Sequence, residues 1–467
     1  MSSSGSPASV TQPARSGSSR RRSHRIAHVG TGGRALMYQR AVIARPDLQM
    51  VALLDRNEGR MAFHNKRLVA AGRPAAATYA PDEFDRMIRE NDVDTVVVTS
   101  MDVTHDAYIV PAIEAGLRVI TEKPMTTDFE RAKAILDAVE RTGNHITVTF
   151  NYRYNPVHER FARLIADGAV GEVVSVHFEW LLDTRHGADY FRRWHRDKAN
   201  NGGLMVHKAS HHFDLVNWWI DQAPRTVFAF GQHAFYGRRN GERLGLRRDY
   251  ERAYGSPAAE HDPFAIHLDR NEQMRELYLD NEHYDGYHRD QNVFGDGITT
   301  EDDMAVLVRY DGGATMSYHL TAYSPWEGYR VMVNGTSGRL ELEVSESGWT
   351  KPPEGSQVTE GPLHGEQAAE NAGGAQILLR PHWAPPRVVD VPFDHAGHGG
   401  GDARLLADLF GPEPGAPAAP TDGASGMRAD EVDGALAMAV GAAANLAFDS
   451  GQPEDITALL GRELHRG

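Results

Sequence analysis

An apolar strand that runs into a glycine-rich turn is the segment of this chain best suited to chemistry. Residues Ile26 to Ala35 read IAHVGTGGRA, which gives the spacing Gly-x-Gly-x-x-Ala from Gly30. In such a turn the backbone approaches a pyrophosphate, and the next helix offers it free N–H groups. The apolar run Met50 to Leu54 ends at Asp55, where a carboxylate can bind a ribose 2′-hydroxyl. The pattern predicts an NAD site; a glycine turn beside an ordinary surface aspartate is the alternative.

A lysine follows a later strand of the same region. Val119 to Thr121 is a short strand-like run, and Glu122-Lys123-Pro124 comes directly after it. Ligands of a parallel α/β sheet gather at the carboxyl ends of its strands. A lysine there can donate a proton to a reacting oxygen, or accept one when burial lowers its pKa. Lys123 is therefore a candidate acid–base residue, with a surface lysine in a proline turn as the alternative.

A histidine-rich segment, Gly202 to Asp214, supplies the second set of candidate groups. If Gly203 to Ile220 is one helix, His207 and His211 lie one turn apart and share a face with Asp214. Imidazole moves protons near neutral pH, and a carboxylate can orient it. A solvated face, core histidines or a zinc site are the alternatives. We expect no metal, because the glutamate of a His-Glu-x-x-His zinc hydrolase is missing.

The order of predicted elements places these groups in an α/β protein with two domains. Short strands alternate with amphipathic helices up to Phe150, which predicts a Rossmann domain over residues 25–150. Several strand-like runs with few helices follow, which predict an α+β domain over 151–467 with an open, largely antiparallel sheet. Within it we expect an insertion at about 236–300, a loop or cover at Pro352 to Gly400 and a helix at about 427–449.

Composition limits the classes of partner. The chain has 467 residues, a net charge of −15 and no cysteine. The acidic balance argues against nucleic acid or an anionic membrane as partner, and the missing cysteine excludes thiol catalysis. No apolar run looks long enough to span a bilayer. Residues 1–24 are expected to be a disordered tail. Arg20 to Arg22 suggests a twin-arginine signal, but no separate apolar segment follows, so we expect a cytoplasmic protein.

The ordered combination of these motifs resembles the glucose–fructose oxidoreductase and inositol dehydrogenase family, Gfo/Idh/MocA. The matching residues are Gly30-x-Gly32-x-x-Ala35, Asp55, Glu122-Lys123-Pro124, Asn151-Tyr152-Arg153, and Gly202-Gly203 ahead of His211 and Asp214. The resemblance implies hydride transfer between a nicotinamide and a hydroxyl-bearing carbon of a sugar or cyclitol. It also implies a homo-oligomer, Lys123 and His211 as the catalytic pair, and His105 and Glu122 near the cofactor.

The chain departs from the family at one position that bears on mechanism. The family commonly has an aspartate four residues before the catalytic histidine, and this chain has His207 there. A second imidazole therefore replaces a carboxylate, and we expect two neighbouring imidazoles to resist simultaneous protonation.

These observations give one set of candidate site residues. The predicted catalytic residues are Lys123, His207 and His211. The predicted cofactor-binding residues are Gly30, Thr31, Gly32, Gly33, Arg34, Ala35, Asp55, Arg56, Thr99, Ser100, His105, Glu122 and Lys123. The predicted substrate-binding residues are Asn151, Arg153, Lys208 and His212, together with His283 and Tyr287 of the insertion, for which a solvated loop is the alternative.

Three functions remain open at this point. The first is an NAD-dependent dehydrogenase of a sugar, cyclitol or glycoside; Asp55 repels a 2′-phosphate, although Arg56 beside it could accommodate one. The second is a glycoside-cleaving enzyme that oxidises its substrate transiently, eliminates the aglycone and returns the hydride. The third is a non-catalytic NAD-binding sensor, against which the presence of both Lys123 and His211 argues.

Overall fold

The computed structural model describes residues 23–349, 373–391, 400–412 and 427–466. The tail expected at residues 1–24 lies outside these ranges except for its last two residues, and His24 already begins a strand. The strands are β1 His24–Val29, β2 Leu48–Leu54, β3 Ala77–Tyr79, β4 Thr95–Val98, β5 Arg118–Thr121, β6 Ile146–Val148, β7 Val173–Asp183, β8 Pro224–Gln232, β9 Asp303–Tyr310, β10 Thr315–Ser324, β11 Glu327–Gly335, β12 Gly338–Ser347, β13 Gly374–Pro381, β14 Arg387–Val389 and β15 Glu454–Asp455.

The same ranges contain short and long α-helices. They are α1 Ala35–Ala44, α2 Glu58–Ala70, α3 Phe84–Asn91, α4 Asp106–Glu114, α5 Phe129–Thr142, α6 Pro156–Ala166, α7 Thr184–Arg192, α8 Lys198–Asn201, α9 Gly203–His207, α10 Ser210–Ile220, α11 Arg238–Leu244, α12 Glu272–Leu277, α13 Glu282–Asp285, α14 Gly401–Phe410, α15 Glu431–Ser450 and α16 Ile456–Leu460. Two 3₁₀ turns matter for the site: Asp102–Thr104 and Asn151–Tyr154.

The first sheet is parallel and has the order β3-β2-β1-β4-β5-β6. Its strands are apolar on both faces, as expected of a sheet covered by helices on both sides. The strand order reverses between β1 and β4, and ligands of such sheets bind outside the carboxyl ends at this point. The residues that follow β1, β4 and β5 therefore lie where the ligand is expected. The parallel strand order confirms the predicted Rossmann domain.

The second sheet has nine strands in the order β14-β13-β12-β11-β7-β10-β9-β8-β15. β7 and β10 are parallel and the other neighbours are antiparallel, so the sheet is mixed and mostly antiparallel. Buried and solvent-facing residues alternate along β9 and β10, and helices α9, α10 and α15 pack together with β8 on the buried side. This arrangement confirms the predicted open sheet.

The prediction of a loop or cover at Pro352 to Gly400 is wrong for the residues that the structure describes. Gly374–Pro381 and Arg387–Val389 extend the second sheet as β13 and β14. Ile377 and Leu379 alternate with outward residues and lie opposite Leu342 and Leu340 of β12. This period-two pattern was hidden by the glycines and prolines around it, and the remainder of the segment lies outside the described residues.

The expected single helix from Gly203 to Ile220 is two helices. The amide of Ala209 donates to the carbonyl of Leu204, five residues back, at 2.8 Å, so the turn between α9 and α10 is wider than a regular α-turn. The widened turn changes the rotational phase between His207 and His211. The prediction that these two residues and Asp214 share one face of a continuous helix is therefore wrong.

The helix α15 qualifies the expectation about membrane spans. Among the helices that the structure describes, α15 is the one that is long and apolar enough to cross a bilayer. Most of it is buried inside the protein. Its residues pack against α5, α9, α10 and β8. Such burial on all sides is typical of a core helix, which explains its alanine-rich composition.

Candidate active site

Gly30 shapes the turn that follows β1. Its φ of +84° lies in the left-handed region, and a Cβ there would lie 2.5 Å from Ser100 Cα. Glycine is required on both counts. A Cβ on Gly32 would meet one group within 4 Å, the Tyr278 hydroxyl at 3.8 Å. The backbone at Gly32 is thus open to close approach, as a pyrophosphate requires, and Ala35 begins the buried end of α1.

Asp55 stands at the end of β2 as an ionised hydrogen-bond acceptor. It accepts from the Thr31 N–H at 2.6 Å, the Thr31 hydroxyl at 2.8 Å and the Asn57 N–H at 2.9 Å. Burial would raise the pKa of Asp55, but Arg60 and these donors outweigh burial and lower it. A buried carboxylate held in this way fits the ribose end of a bound NAD. Arg56, by contrast, has a side chain that is 55% exposed.

The loops after β4 and β5 are held together by buried polar contacts. The Thr99 hydroxyl donates to the Gly30 carbonyl at 2.6 Å, and the Ser100 and Thr104 hydroxyls lie 2.8 Å apart. The His105 ring lies between the carbonyls of Pro124 at 3.0 Å and Ser100 at 3.1 Å. His105 therefore positions the Lys123–Pro124 turn.

Glu122 joins the cofactor turn to the same loop. It accepts from Arg34 Nε at 2.7 Å and from the Tyr38 hydroxyl at 2.8 Å. Arg34 also lies 3.3 Å from Asp402 at the start of α14. These contacts fix the first turn of α1 against the residue before Lys123, so Glu122 positions the neighbouring lysine.

Lys123 is buried at the carboxyl end of β5. Its Nζ donates to the main-chain carbonyl of His207 at 3.2 Å. Burial lowers the pKa of Lys123 to about 8, although the carboxylates of Asp102 and Glu122 oppose the shift. An amine with this pKa exchanges protons near neutral pH, which is what a general base or acid requires. The predicted proton-transfer role is chemically feasible at this position.

Asp102 is a site residue that the sequence interpretation missed. Its Oδ2 lies 2.5 Å from His207 Nδ1, and both side chains are almost fully buried. Burial raises the pKa of Asp102 well above its usual range, and the short contact is a hydrogen bond between the carboxyl group and the imidazole. The expected replacement of a carboxylate by a second imidazole is therefore incomplete: the carboxylate comes from the loop after β4. Asp102 lies three residues after the run VDTVVVT, and the position of a carboxylate in the loop after a parallel strand was the signal that could have found it.

Aromatic rings surround His207 on the side facing α7. The ring of His195 lies 4.2 Å from that of His207, and Tyr190 and Trp194 lie 5.7 and 6.1 Å away. Trp194 and Tyr287 also line a cleft of about 290 Å³. Aromatic faces beside a polar dyad suit the apolar face of a sugar ring, and Tyr287 is the predicted insertion residue that lies here.

His211 and Lys208 meet on a common aromatic residue. The His211 ring stacks on Tyr152 at 4.4 Å, and Lys208 Nζ donates to the Tyr152 hydroxyl at 3.1 Å. Lys208 also lies 4.8 Å from the centre of the Trp180 ring, and burial lowers its pKa. Tyr152 thus fixes the side chains of two predicted site residues.

Two predicted substrate-binding residues, Arg153 and His212, make buried contacts within the protein. Arg153 is fully buried and pairs with Asp214 at 2.5 Å and Asp433 at 3.0 Å, so it ties α10 to α15 and binds the Asp214 carboxylate. His212 bonds the Tyr318 hydroxyl at 2.7 Å and stacks on Trp180, and burial lowers its pKa well below its usual range. It is a neutral core histidine.

Two further predicted substrate contacts are Asn151 and His283. The Asn151 amide donates to Asp402 at 2.7 Å, so its side chain anchors α14. His283 is exposed on α13 and packs against Tyr284, beside the Rossmann domain. Within the residues that the structure describes, no group of three or more His, Asp or Glu could hold a metal ion.

Comparison with known proteins identifies the family. Residues 24–150 match the family model "Oxidoreductase family, NAD-binding Rossmann fold", and residues 162–453 match "Oxidoreductase family, C-terminal alpha/beta domain". The chain belongs to the Gfo/Idh/MocA family. It is an NAD-binding oxidoreductase. The glycine turn, Asp55 and Lys123 are the motifs that it shares with the family.

Individual relatives refine this picture. The inferred oxidoreductase YteT of Bacillus subtilis is 36% identical over 78% of this chain and 82% of its own length. Inositol 2-dehydrogenase of Rubrobacter xylanophilus is 27% identical over 44% of this chain and 54% of its own length. Glycosyl hydrolase family 109 protein 2 of Bacteroides fragilis is 28% identical over 34% of this chain and 38% of its own length.

The fold also matches solved structures. The WlbA dehydrogenase of Bordetella pertussis, solved with NADH and UDP-GlcNAcA, superposes with a TM-score of 0.56 at 16% identity. The match covers 93% of this chain and 99% of WlbA. At this identity the likeness concerns the fold alone.

Proposed function

We propose that the chain transfers a hydride between the nicotinamide of NAD and a hydroxyl-bearing carbon of a sugar, cyclitol or glycoside. The observation that carries the proposal is Lys123, buried at the carboxyl edge of the Rossmann sheet with a pKa lowered to about 8. NAD, when bound, supplies the hydride acceptor or donor. Inositol 2-dehydrogenases among the relatives support a polyhydroxylated substrate.

We assign proton transfer to Lys123 and a supporting role to its buried neighbours. Neutral Lys123 takes the proton from the substrate hydroxyl as the hydride leaves, and charged Lys123 returns it in the reverse direction. The Asp102–His207 pair lies beside the lysine and is hydrogen-bonded in a buried site. His211, fixed by its stack on Tyr152, is the second proposed acid–base group. Burial excludes water from these groups and strengthens their interactions with the substrate.

Glycoside cleavage without net redox change is the second candidate. The observation that favours it is the insertion, whose Tyr278 hydroxyl accepts a hydrogen bond from Gly33 N–H in the cofactor turn at 2.8 Å. An element placed over the cofactor slows its exchange, and a redox-neutral cycle requires that NAD stays bound between its two hydride transfers. A relative named for glycosyl hydrolase family 109 is consistent with this chemistry.

One experiment separates the candidate functions. The full-length protein is incubated with NAD and a panel of polyols, free sugars and aryl glycosides, and NADH and aglycone are both measured. NADH formation from a polyol or sugar supports dehydrogenation, and aglycone release without NADH supports the redox-neutral reaction. Binding of NAD with neither product, across the whole panel, would contradict the enzymatic proposal and favour a sensor. Lys123→Ala is the control that must lose whichever product the parent forms.

We also propose that the outer face of the second sheet joins two copies of the chain. Phe230 and Leu307 are 66% and 57% exposed there, and Phe228 lies opposite Leu307 in the β8–β9 ladder. Adjacent exposed apolar side chains on a sheet face favour association. Light scattering should show a parent oligomer that Leu307→Lys shifts toward monomer, whereas a monomeric parent at micromolar concentration would contradict the proposal.

A further inference from the structure

Part of the insertion packs against the Rossmann domain rather than against the catalytic residues. Leu277 of α12 is fully buried in a cluster with Leu36 of α1 and Phe63 of α2. Asn57 Nδ2 donates to the Asn281 carbonyl at 2.9 Å, and a Cβ on Gly59 would lie 1.9 Å from Asn281 Oδ1. The segment from Glu272 to Asp285 is therefore closely seated on the two helices that flank the cofactor turn.

Two residues of this segment reach the part of the site expected to bind the pyrophosphate and the adenosine ribose. The Tyr278 hydroxyl accepts from Gly33 N–H in the turn expected to hold the pyrophosphate. Asp285 lies 2.6 Å from Arg60, and the same guanidinium lies 3.1 Å from Asp55, the acid expected at the ribose. The Asp285 carboxylate is only 3% exposed, so it lies within the site and not on its rim.

The Asp285 carboxylate pairs with both of the arginines that could bind a 2′-phosphate. Besides its bond to Arg60, its Oδ2 lies 3.6 Å from Arg56 Nε. An arginine directly after the ribose-binding acid is the feature that can turn such a site toward NADP. Here a carboxylate from the other domain neutralises that arginine and adds a second negative charge beside Asp55.

We propose that the segment from Tyr278 to Asp285 forms a wall of the NAD site, and that Asp285 selects NAD over NADP by holding Arg56 and Arg60. The selection acts at the 2′-position alone, because only NADP brings a phosphate dianion to this carboxylate. Removing the Asp285 charge frees Arg56 for the phosphate and leaves Arg60 paired with Asp55. The inference concerns the cofactor and does not depend on which substrate the enzyme uses.

The test measures dinucleotide affinity directly. Kd for NAD and for NADP is measured by isothermal titration calorimetry on full-length parent, Asp285→Asn and Asp280→Asn proteins. Asp280 lies on the same segment and pairs with Arg275 at 3.6 Å within it, so Asp280→Asn makes the same charge change away from the cofactor site. We expect Asp285→Asn to tighten NADP binding at least about tenfold relative to NAD, and Asp280→Asn to leave the ratio unchanged.

Two further variants make the result decisive. Adding Arg56→Ala to Asp285→Asn should remove most of the gain in NADP affinity, and Asp285→Glu should keep the parent preference. A ratio of NADP to NAD affinity that Asp285→Asn leaves unchanged would overturn the proposal, including the case in which both dinucleotides weaken together because the segment has moved. A parent that binds neither dinucleotide would instead contradict the NAD-dependent function itself.

The rate at which NAD leaves the protein tests the proposed wall separately. Tyr278→Phe removes the hydroxyl at the turn but keeps the ring, so NAD should leave the protein faster during dialysis while the ratio of NADP to NAD affinity stays at the parent value. Tyr284→Phe, on the exposed side of the same segment, is the matched control. Equal NAD loss from parent and Tyr278→Phe would show that the segment does not enclose the cofactor.

Discussion

The cofactor turn and the histidine segment are both short and rich in functional residues, yet they behave differently on folding. In the cofactor turn, Gly30 has the positive φ of a tight turn and Asp55 ends β2 beside Thr31, as their spacing indicates, because their partners are local strand and turn backbone. In the histidine segment, neighbouring side chains turn to unrelated elements. His207 pairs with Asp102, His212 lies in the core, and Asp214 binds Arg153.

This difference teaches that residue type alone does not separate catalytic from structural groups in a buried helix. Two histidines of one segment, His207 and His212, are both buried and lie five residues apart in the sequence. His207 contacts a carboxyl group that can share a proton, and His212 contacts a phenol and an indole. The predictions that follow test whether these partners decide function.

The largest effect is expected at Lys123. Lys123→Ala should lower kcat by about 10²–10⁴-fold, because general acid–base groups contribute that much, while Kd for NAD stays within a few-fold of the parent. Steady-state kinetics and calorimetry measure the two quantities. Lys133→Ala, at a half-buried lysine paired with Glu130, should change neither. Near-parent turnover by Lys123→Ala would remove this residue from the proton path.

A comparable energy is expected at Arg153, but in folding rather than in turnover. Arg153→Met leaves Asp214 buried without its partner, which should lower the free energy of unfolding by about 3–5 kcal/mol. Chemical denaturation measures the loss. Arg163→Met, at an exposed pair with Glu159, should cost no more than about 1 kcal/mol. A stable Arg153→Met protein with a raised KM would show that the arginine binds substrate after all.

A smaller effect is expected at His207. His207→Asp should lower kcat at least about tenfold, or roughly 1.4 kcal/mol of barrier, because it sets two buried carboxyl groups against each other. The double variant Asp102→Asn/His207→Asp should recover part of the loss, since one carboxyl group and one neutral amide remain. A single variant whose pH–rate profile overlays that of the parent would show that His207 only replaces a structural carboxylate.

The sequence is sufficient for the features that depend on local spacing. The Rossmann turn, the lysine after β5 and most strands of the second sheet follow from short-range patterns, and the structure has them at or near the expected positions. The contacts of Asp102 with His207 and of Tyr278 with Gly33 could not be predicted, because each joins two segments remote in sequence. The break at Ala209 depends on one widened turn that helical periodicity does not reveal.

The central claim is that Lys123 exchanges the substrate proton, and the pH dependence of substrate oxidation tests it most directly. The neutral amine is the active form in this direction, so kcat/KM should fall as pH drops below about 8, the lowered pKa of Lys123, and level off above it. The reverse reaction needs the charged amine and should decline as pH rises through the same value. Lys123→Arg, which stays charged throughout, should lose both the rate and this break. A parent profile with no break near this pH, or an identical break in Lys123→Arg, would contradict the account.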